Sequence, residues 1–177
     1  MKQKSKIQAQ ISLILVVLVV LTFGCNTNNT ISAPTNTTGL TVSVVTSSAD
    51  GIYAPKNVVA IWIENSDGQF IKTLTVYAKA RISYLTNWES ASGGNTADAL
   101  TGATQTTHGT IYGSWNGTDA KGFTVPDGNY KVCMELTDKN STGSYSSFNF
   151  TKGITTESLK PGNTPSFSTV TIKWVPL

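Results

Sequence analysis

The chain is poor in the side chains that build metal centres and catalytic relays. Its 177 residues include two cysteines, one histidine and two methionines, and only 13% are charged. One histidine and at most two thiols leave every zinc template of the Cys/His kind short of ligands, so no metal is expected. A hydrolase would need a nucleophile and an orienting acid around His108, and no strained nucleophile motif is present. A cationic surface is missing too. The net charge of +3 comes from 13 basic and 10 acidic residues, and Lys2, Lys4 and Lys6 fall in an acid-free stretch at residues 1–24. Without that stretch the charges cancel, and binding of nucleic acid through clustered Lys and Arg has no basis. No sustained 3.6-residue period runs through the chain, which excludes a helical bundle.

The start of the chain carries an export pattern. The three lysines precede an apolar run from Ile11 to Leu21, followed by Thr22-Phe23-Gly24-Cys25, the layout of a signal peptide. The small residue and the cysteine that close the run resemble the lipobox of bacterial lipoproteins, although Thr22 stands where leucine is usual and bulky Phe23 follows it. The resemblance implies a lipoprotein signal peptide over residues 1–24, acylation of Cys25, and a periplasmic or outer-membrane lipoprotein held to the cell envelope through lipid. An uncleaved membrane anchor is the alternative, since the apolar stretch is not far short of the ~18 residues a span needs. Residues 25–40, rich in Asn, Thr, Ser and Pro, have too few apolar groups to offset the entropy of ordering and read as a flexible tether. The folded domain is then 41–177. With Cys25 lipidated, Cys133 has no disulfide partner and reads as an inert buried thiol. Strand alternation nevertheless puts it opposite the Tyr130, Val132, Met134, Leu136 stripe, so burial requires a strand covered on both sides.

Short apolar segments separated by turn residues make the domain all-β. Asn57 to Glu64 is almost continuously apolar and reads as a central strand; Ser66-Asp67-Gly68 turns it into Gln69 to Tyr77. Thr41 to Thr46 alternates in part, and further strands are expected at Thr110 to Trp115, Phe123 to Val125, Tyr130 to Thr137, Tyr145 to Phe150 and Ser168 to Val175. About eight such strands predict an antiparallel two-sheet immunoglobulin-like sandwich. Ala78 to His108 shows no clean period and reads as one long functional loop, because connections of that length usually carry function. The stretch after Gly153 is expected to add an edge strand.

Trp115-Asn116-Gly117-Thr118-Asp119-Ala120-Lys121-Gly122 and Pro126-Asp127-Gly128-Asn129-Tyr130 supply the chemistry of two tight turns flanked by aromatics that can pack inward. The pattern resembles a hairpin of immunoglobulin-like domains of the flagellar-hook-capping type. Asn116, Asp119 and Asp127 lack the alternating ligands and closing Glu of a calcium loop, which favours turn capping over a calcium site.

The motif that carries chemistry is Asp98-Ala99-Leu100-Thr101-Gly102-Ala103-Thr104. It resembles the Asp-x-x-Ser/Thr-Gly-Ala-Thr motif at which exported proteins, such as flavin-bearing subunits of sodium-pumping quinone reductases, receive FMN through a phosphoester. The resemblance implies covalent FMN on Thr104. It also implies maturation by a separate flavin transferase and electron exchange with envelope redox proteins, without a substrate transformed by this chain itself. A hydroxyl is the nucleophile such a transfer needs, while the activating groups belong to the transferase. Asp98 would dock or orient the segment, Thr101 belongs to the motif, and Gly102 and Ala103 would leave room for the transferase at the backbone. Nearby Trp88, Tyr84, Arg81 and His108 could offer an aromatic face or a hydrogen-bond donor to the flavin; each has the plainer alternative of a core anchor, surface charge or loop residue.

Asn57 to Gly153 as a whole is similar to a family of predicted periplasmic proteins of unknown function. The likeness rests on the Val-x-Ile-Trp-Ile strand, Tyr84-Leu85-Thr86-Asn87-Trp88, the Asp98 to Thr104 motif, His108-Gly109 and the Trp115 hairpin. The competing expectation is a cofactor-free immunoglobulin-like binding or assembly module of the cell envelope.

Overall fold

A computed structural model describes residues 32–177; the leader, Cys25 and the first part of the tether lie outside the described residues. The expected sandwich is present. Among the described residues nine strands form two sheets. The first sheet has β1 (Gly39–Thr46), β5 (Thr110–Trp115), β8 (Glu157–Leu159) and β9 (Phe167–Val175), in the order β5-β1-β9-β8. The second has β2 (Val58–Asn65), β3 (Phe70–Tyr77), β4 (Leu100–Gly102), β6 (Gly128–Thr137) and β7 (Ser144–Lys152), in the order β4-β3-β2-β6-β7. All neighbours are antiparallel except β3 and β4, which run parallel.

Alternation along the strands sends one side chain in two into the space between the sheets. Leu40, Val42 and Val44 of β1 meet Val59, Ile61 and Ile63 of β2 there, with Val132, Met134 and Leu136 of β6 and Val170 and Ile172 of β9. One end of this core is closed by aromatics: Trp115 lies 5.3 Å from Tyr130 and 6.1 Å from both Phe150 and Trp174, ring centre to ring centre. The indole N–H of Trp115 donates to the Thr118 carbonyl at 2.6 Å, so the hairpin that follows β5 is pinned to its own flanking tryptophan.

β2 is continuously apolar because both of its faces are covered. Val58, Ala60 and Trp62 point away from the other sheet, and with Val76, Ala78 and Cys133 they form a second apolar cluster under Leu85 and Trp88. The cover is the segment after β3, which contains a single turn of 3-10 helix at Ile82–Tyr84 and a short helix α1 (Thr86–Ser92). Cys133 is buried as the composition argument expected, and the alternation that seemed to expose it is answered by this cover. Burial pushes its thiol pKa up to about 12, which keeps it protonated and unreactive at neutral pH.

The helix is held by a carboxylate. Glu135 of β6 is fully buried and accepts from the Asn87 N–H at 3.2 Å, the Asn87 side-chain amide at 2.9 Å and the Trp88 N–H at 2.9 Å. These satisfy the first free N–H groups of α1, a task its flanking Leu85 has no side-chain oxygen to perform. Trp88 in turn donates to Thr73 Oγ1 at 3.0 Å, and that hydroxyl donates to the Asn95 carbonyl at 2.6 Å.

Three expectations are corrected and one is met. Ala78 to His108 is not an unstructured loop: it holds the 3-10 turn, α1 and β4. Alternation cannot register elements of three and seven residues whose apolar side chains answer to β2 and β3 rather than to each other. Phe123 to Val125 makes only an isolated bridge between Thr118 and Thr124, because Asp119 closes the turn too tightly for a ladder. The tail supplies the expected edge strand, β8, and β9 lies inside the first sheet between β1 and β8. Among the described residues regular structure begins at Gly39, inside the stretch read as tether, since Gly39 and Leu40 already pair with β9.

Replacing Glu135 with alanine strands the buried N–H groups at the start of α1, and the expected loss in unfolding free energy is about 3 kcal/mol. Urea titration of Glu135→Ala checks this; a midpoint equal to that of the parent protein would contradict the role given to the carboxylate.

Candidate functional site

The Asp98 to Thr104 motif lies along the outer edge of the second sheet. Its first residue is fixed by charge. Lys72 of β3 is buried, and a buried ammonium needs a partner; it meets Asp98 Oδ2 at 3.2 Å and Thr118 Oγ1 at 3.3 Å. Asp98 is largely exposed and has a left-handed backbone (φ 55°), a conformation Asp tolerates better than most residues. Its role is to moor the start of the segment.

From there Leu100, Thr101 and Gly102 run parallel to Thr75, Val76 and Tyr77 as β4. Gly102 has a local reason to be glycine. A Cβ there would meet Tyr77 Cδ1 at 2.8 Å and Cε1 at 2.9 Å, so its smallness lets the strand lie against the tyrosine ring. This reason is internal to the fold, separate from any approach by a transferase.

β3 leaves the sheet just beyond Tyr77, and the motif crosses the place it vacates. The Ala78 N–H donates to the Gly102 carbonyl at 3.2 Å. Asn57 and Gln105 then exchange two backbone hydrogen bonds, at 2.9 and 3.1 Å. Ala103 and Thr104 form a bridge of two residues clamped at both ends, with Ala103 exposed and Thr104 half-buried. The Thr104 hydroxyl makes no hydrogen bond among the described residues, whereas the hydroxyls of Thr46, Thr73, Thr75 and Thr137 are committed inside the fold.

Beside the bridge is a shallow cavity of about 330 Å³, walled by Thr101, Gly102 and Ala103 on one side and by Val76, Ala78, Lys79 and Ile82 on the other. Val76 and Ala78 form an apolar floor, Ile82 is exposed at the rim, and Lys79 is the charged member of the lining. A flat, mainly apolar ring with one polar edge suits such a surface. Thr96 completes the lining, and Thr104 follows the lining residue Ala103 in the chain.

The other residues singled out in the sequence divide. Trp88 is fully buried beneath α1 and supports the segment from inside the fold. Arg81 stacks on Tyr53, its guanidinium carbon 4.3 Å from the ring centre, and Tyr84 ends the 3-10 turn. His108 lies at the same end of the sandwich as Thr104, next to Gly109, which exchanges hydrogen bonds with Thr46. Both of its ring nitrogens are buried without a partner, as is Asn57 Oδ1. Burial lowers the His108 pKa, and the Asp138 carboxylate opposes the shift. In the hairpin, Asp119 Oδ1 accepts from the Lys121 and Phe123 N–H groups, at 2.8 and 2.9 Å. Asn116 receives Thr118, and Asp127 pairs with buried Lys152. Asp119 and Asn116 thus cap turns. Among the described residues no group of three His, Cys, Asp or Glu side chains is placed to hold a metal ion.

Lys72, Tyr77, Asn57 and Gln105 were not anticipated. Gln105 directly follows the motif and was within reach of inspection; the other three meet it only through strand pairing.

The fold and site define a two-sheet β-sandwich with a threonine-bearing segment clamped across one sheet edge. Residues 39–165 match the profile of a family described as predicted periplasmic protein (DUF2271), and the chain belongs to that family. The match begins at β1 and extends past β8, further at both ends than the motifs suggested. No curated protein and no solved structure matches the chain.

Two outcomes follow from this geometry. Gly102→Ala forces β4 away from Tyr77, at an expected cost of about 1–3 kcal/mol, with faster exchange of the Ala78 amide hydrogen; unchanged exchange would contradict the packing role. His108 has a folded pKa below its ordinary 6.5. The unfolded chain therefore takes up the proton first, and the stability that neutral His108 contributes above that pH is lost as pH falls through its folded value. Melting temperatures of the parent and His108→Gln proteins between about pH 7 and pH 5 test this: the parent should fall more steeply, and parallel curves would refute it.

Proposed function

We propose that this chain is an extracytosolic electron-transfer protein that carries FMN covalently on Thr104 and is held to the envelope through a lipid on Cys25. The observation that supports the reading best is the placement of Thr104: a hydroxyl without a hydrogen bond among the described residues, on a clamped bridge, closing a flavin-attachment-like motif whose preceding residues Thr101, Gly102 and Ala103 line a cavity. Membership of a predicted periplasmic family agrees with export.

In the attachment reaction Thr104 Oγ1 bonds to the FMN phosphorus of FAD, the pyrophosphate P–O bond breaks, and AMP leaves. The hydroxyl proton passes to a base of the transferase, since no histidine or carboxylate of this chain is hydrogen-bonded to Thr104 among the described residues. When bound, the flavin supplies the redox chemistry; the protein positions it, shields one face and sets its potential. Covalent attachment suits an exported carrier that cannot draw on a cytosolic supply of free FMN.

Expression of the full chain with a flavin transferase should yield a protein heavier by one FMN group, and Thr104→Val should abolish the increment. Intact-mass measurement decides. An unmodified parent, or an increment that survives in the variant, would leave the cofactor-free envelope module as the reading.

A further inference from the structure

The cavity next to Thr104 goes beyond the attachment site itself. We infer that it is the seat of the flavin ring and that Lys79 sets the ring's potential. The inference rests on the attachment reading, since it is the bond to Thr104 that would bring a ring to this place.

Three features of the cavity lead here. One wall is Thr101, Gly102 and Ala103, the three residues that directly precede Thr104, with Thr96 completing the lining, so a group carried by Thr104 starts one residue from the cavity. Its floor, Val76 and Ala78, belongs to the second apolar cluster, which is packed under Leu85 and Trp88. Its rim leaves Ile82 exposed on a structured turn, an apolar side chain with nothing over it among the described residues. A planar heteroaromatic ring laid between Ile82 and the motif backbone removes that apolar surface from water.

Lys79 gives the seat a direction. Among the lining residues it is the one with a charge, and it stands two residues beyond Tyr77, where β3 departs and the motif crosses. A flavin gains negative charge on its pyrimidine edge when it accepts electrons. An ammonium at a few ångströms lowers the energy of the reduced form, by an amount that solvent around an exposed side chain keeps small. Lys79 therefore favours the reduced cofactor, which makes it a tuning residue. Lys79 and Ile82 are both exposed, so variants at these positions leave the core intact.

The test uses the full chain, flavinylated by co-expression with a transferase, as parent, Lys79→Gln, Lys79→Arg and Ile82→Ser. Intact mass establishes first that each carries the FMN increment. In Lys79→Gln the preference for the reduced form should fall about tenfold, a drop in midpoint potential of about 30 mV for a two-electron couple, and Lys79→Arg should restore it. Iodide quenching of flavin fluorescence should be several-fold weaker in the parent than after denaturation, and Ile82→Ser should move it toward the denatured value. Proteins that carry the increment but show equal potentials, and quenching as strong folded as unfolded, would overturn the seat while leaving attachment intact. Absence of the increment would overturn attachment and the seat together.

Discussion

The Glu135 carboxylate is the constraint on which the site depends. It is buried on a strand of the second sheet, and it remains there because three N–H groups at the start of α1 point at it. A buried carboxylate without such donors is strongly unfavourable, and helix N–H groups without an acceptor are unfavourable too. Each removes the other's penalty. The result is a helical segment pinned over the outer face of the sheet, sealing Trp62 and Cys133 and returning the chain through Asn95 to the edge of β3. The motif strand follows from that return.

A rigid support matters because the motif itself is short. β4 has three residues, all exposed, too few to hold position by their own packing. Its place is fixed by contacts at its ends: Asp98 on Lys72, Gly102 against Tyr77, and Gln105 paired with Asn57. Thr104 stands inside this frame, its hydroxyl without a hydrogen bond among the described residues. Under the proposed attachment that arrangement answers two demands, access for a large modifying enzyme and one orientation for the attached group.

The sandwich was legible because it depends on alternation. Val58 to Ile63 could be read as a doubly buried strand, and Tyr130, Val132, Met134 and Leu136 as an inward stripe, from their side-chain period alone. Less was legible between Ala78 and His108. Leu85 and Trp88 are spaced like one face of a helical turn, but seven residues are too few to establish a period, and the acceptor that stabilises their helix is Glu135, almost fifty positions away. Of the site, the motif and Thr104 stood out through resemblance. The frame around them did not, because Lys72, Tyr77 and Asn57 acquire their roles only when strands pair. Gly102 carries a lesson of its own: a glycine inside a motif invites a reading in terms of the partner enzyme, while the Tyr77 ring supplies a sufficient reason within the chain.

The central claim is that one oxygen of this protein becomes a phosphoester, and peptide mapping of protein purified from its native host tests it most directly. Trypsin releases Ile82 to Lys121 as one peptide, because no Lys or Arg lies between Arg81 and Lys121. The account predicts that this peptide carries the mass of one FMN group, with fragment ions placing it on Thr104. The same peptide recovered unmodified, or modified at a different hydroxyl, would contradict it.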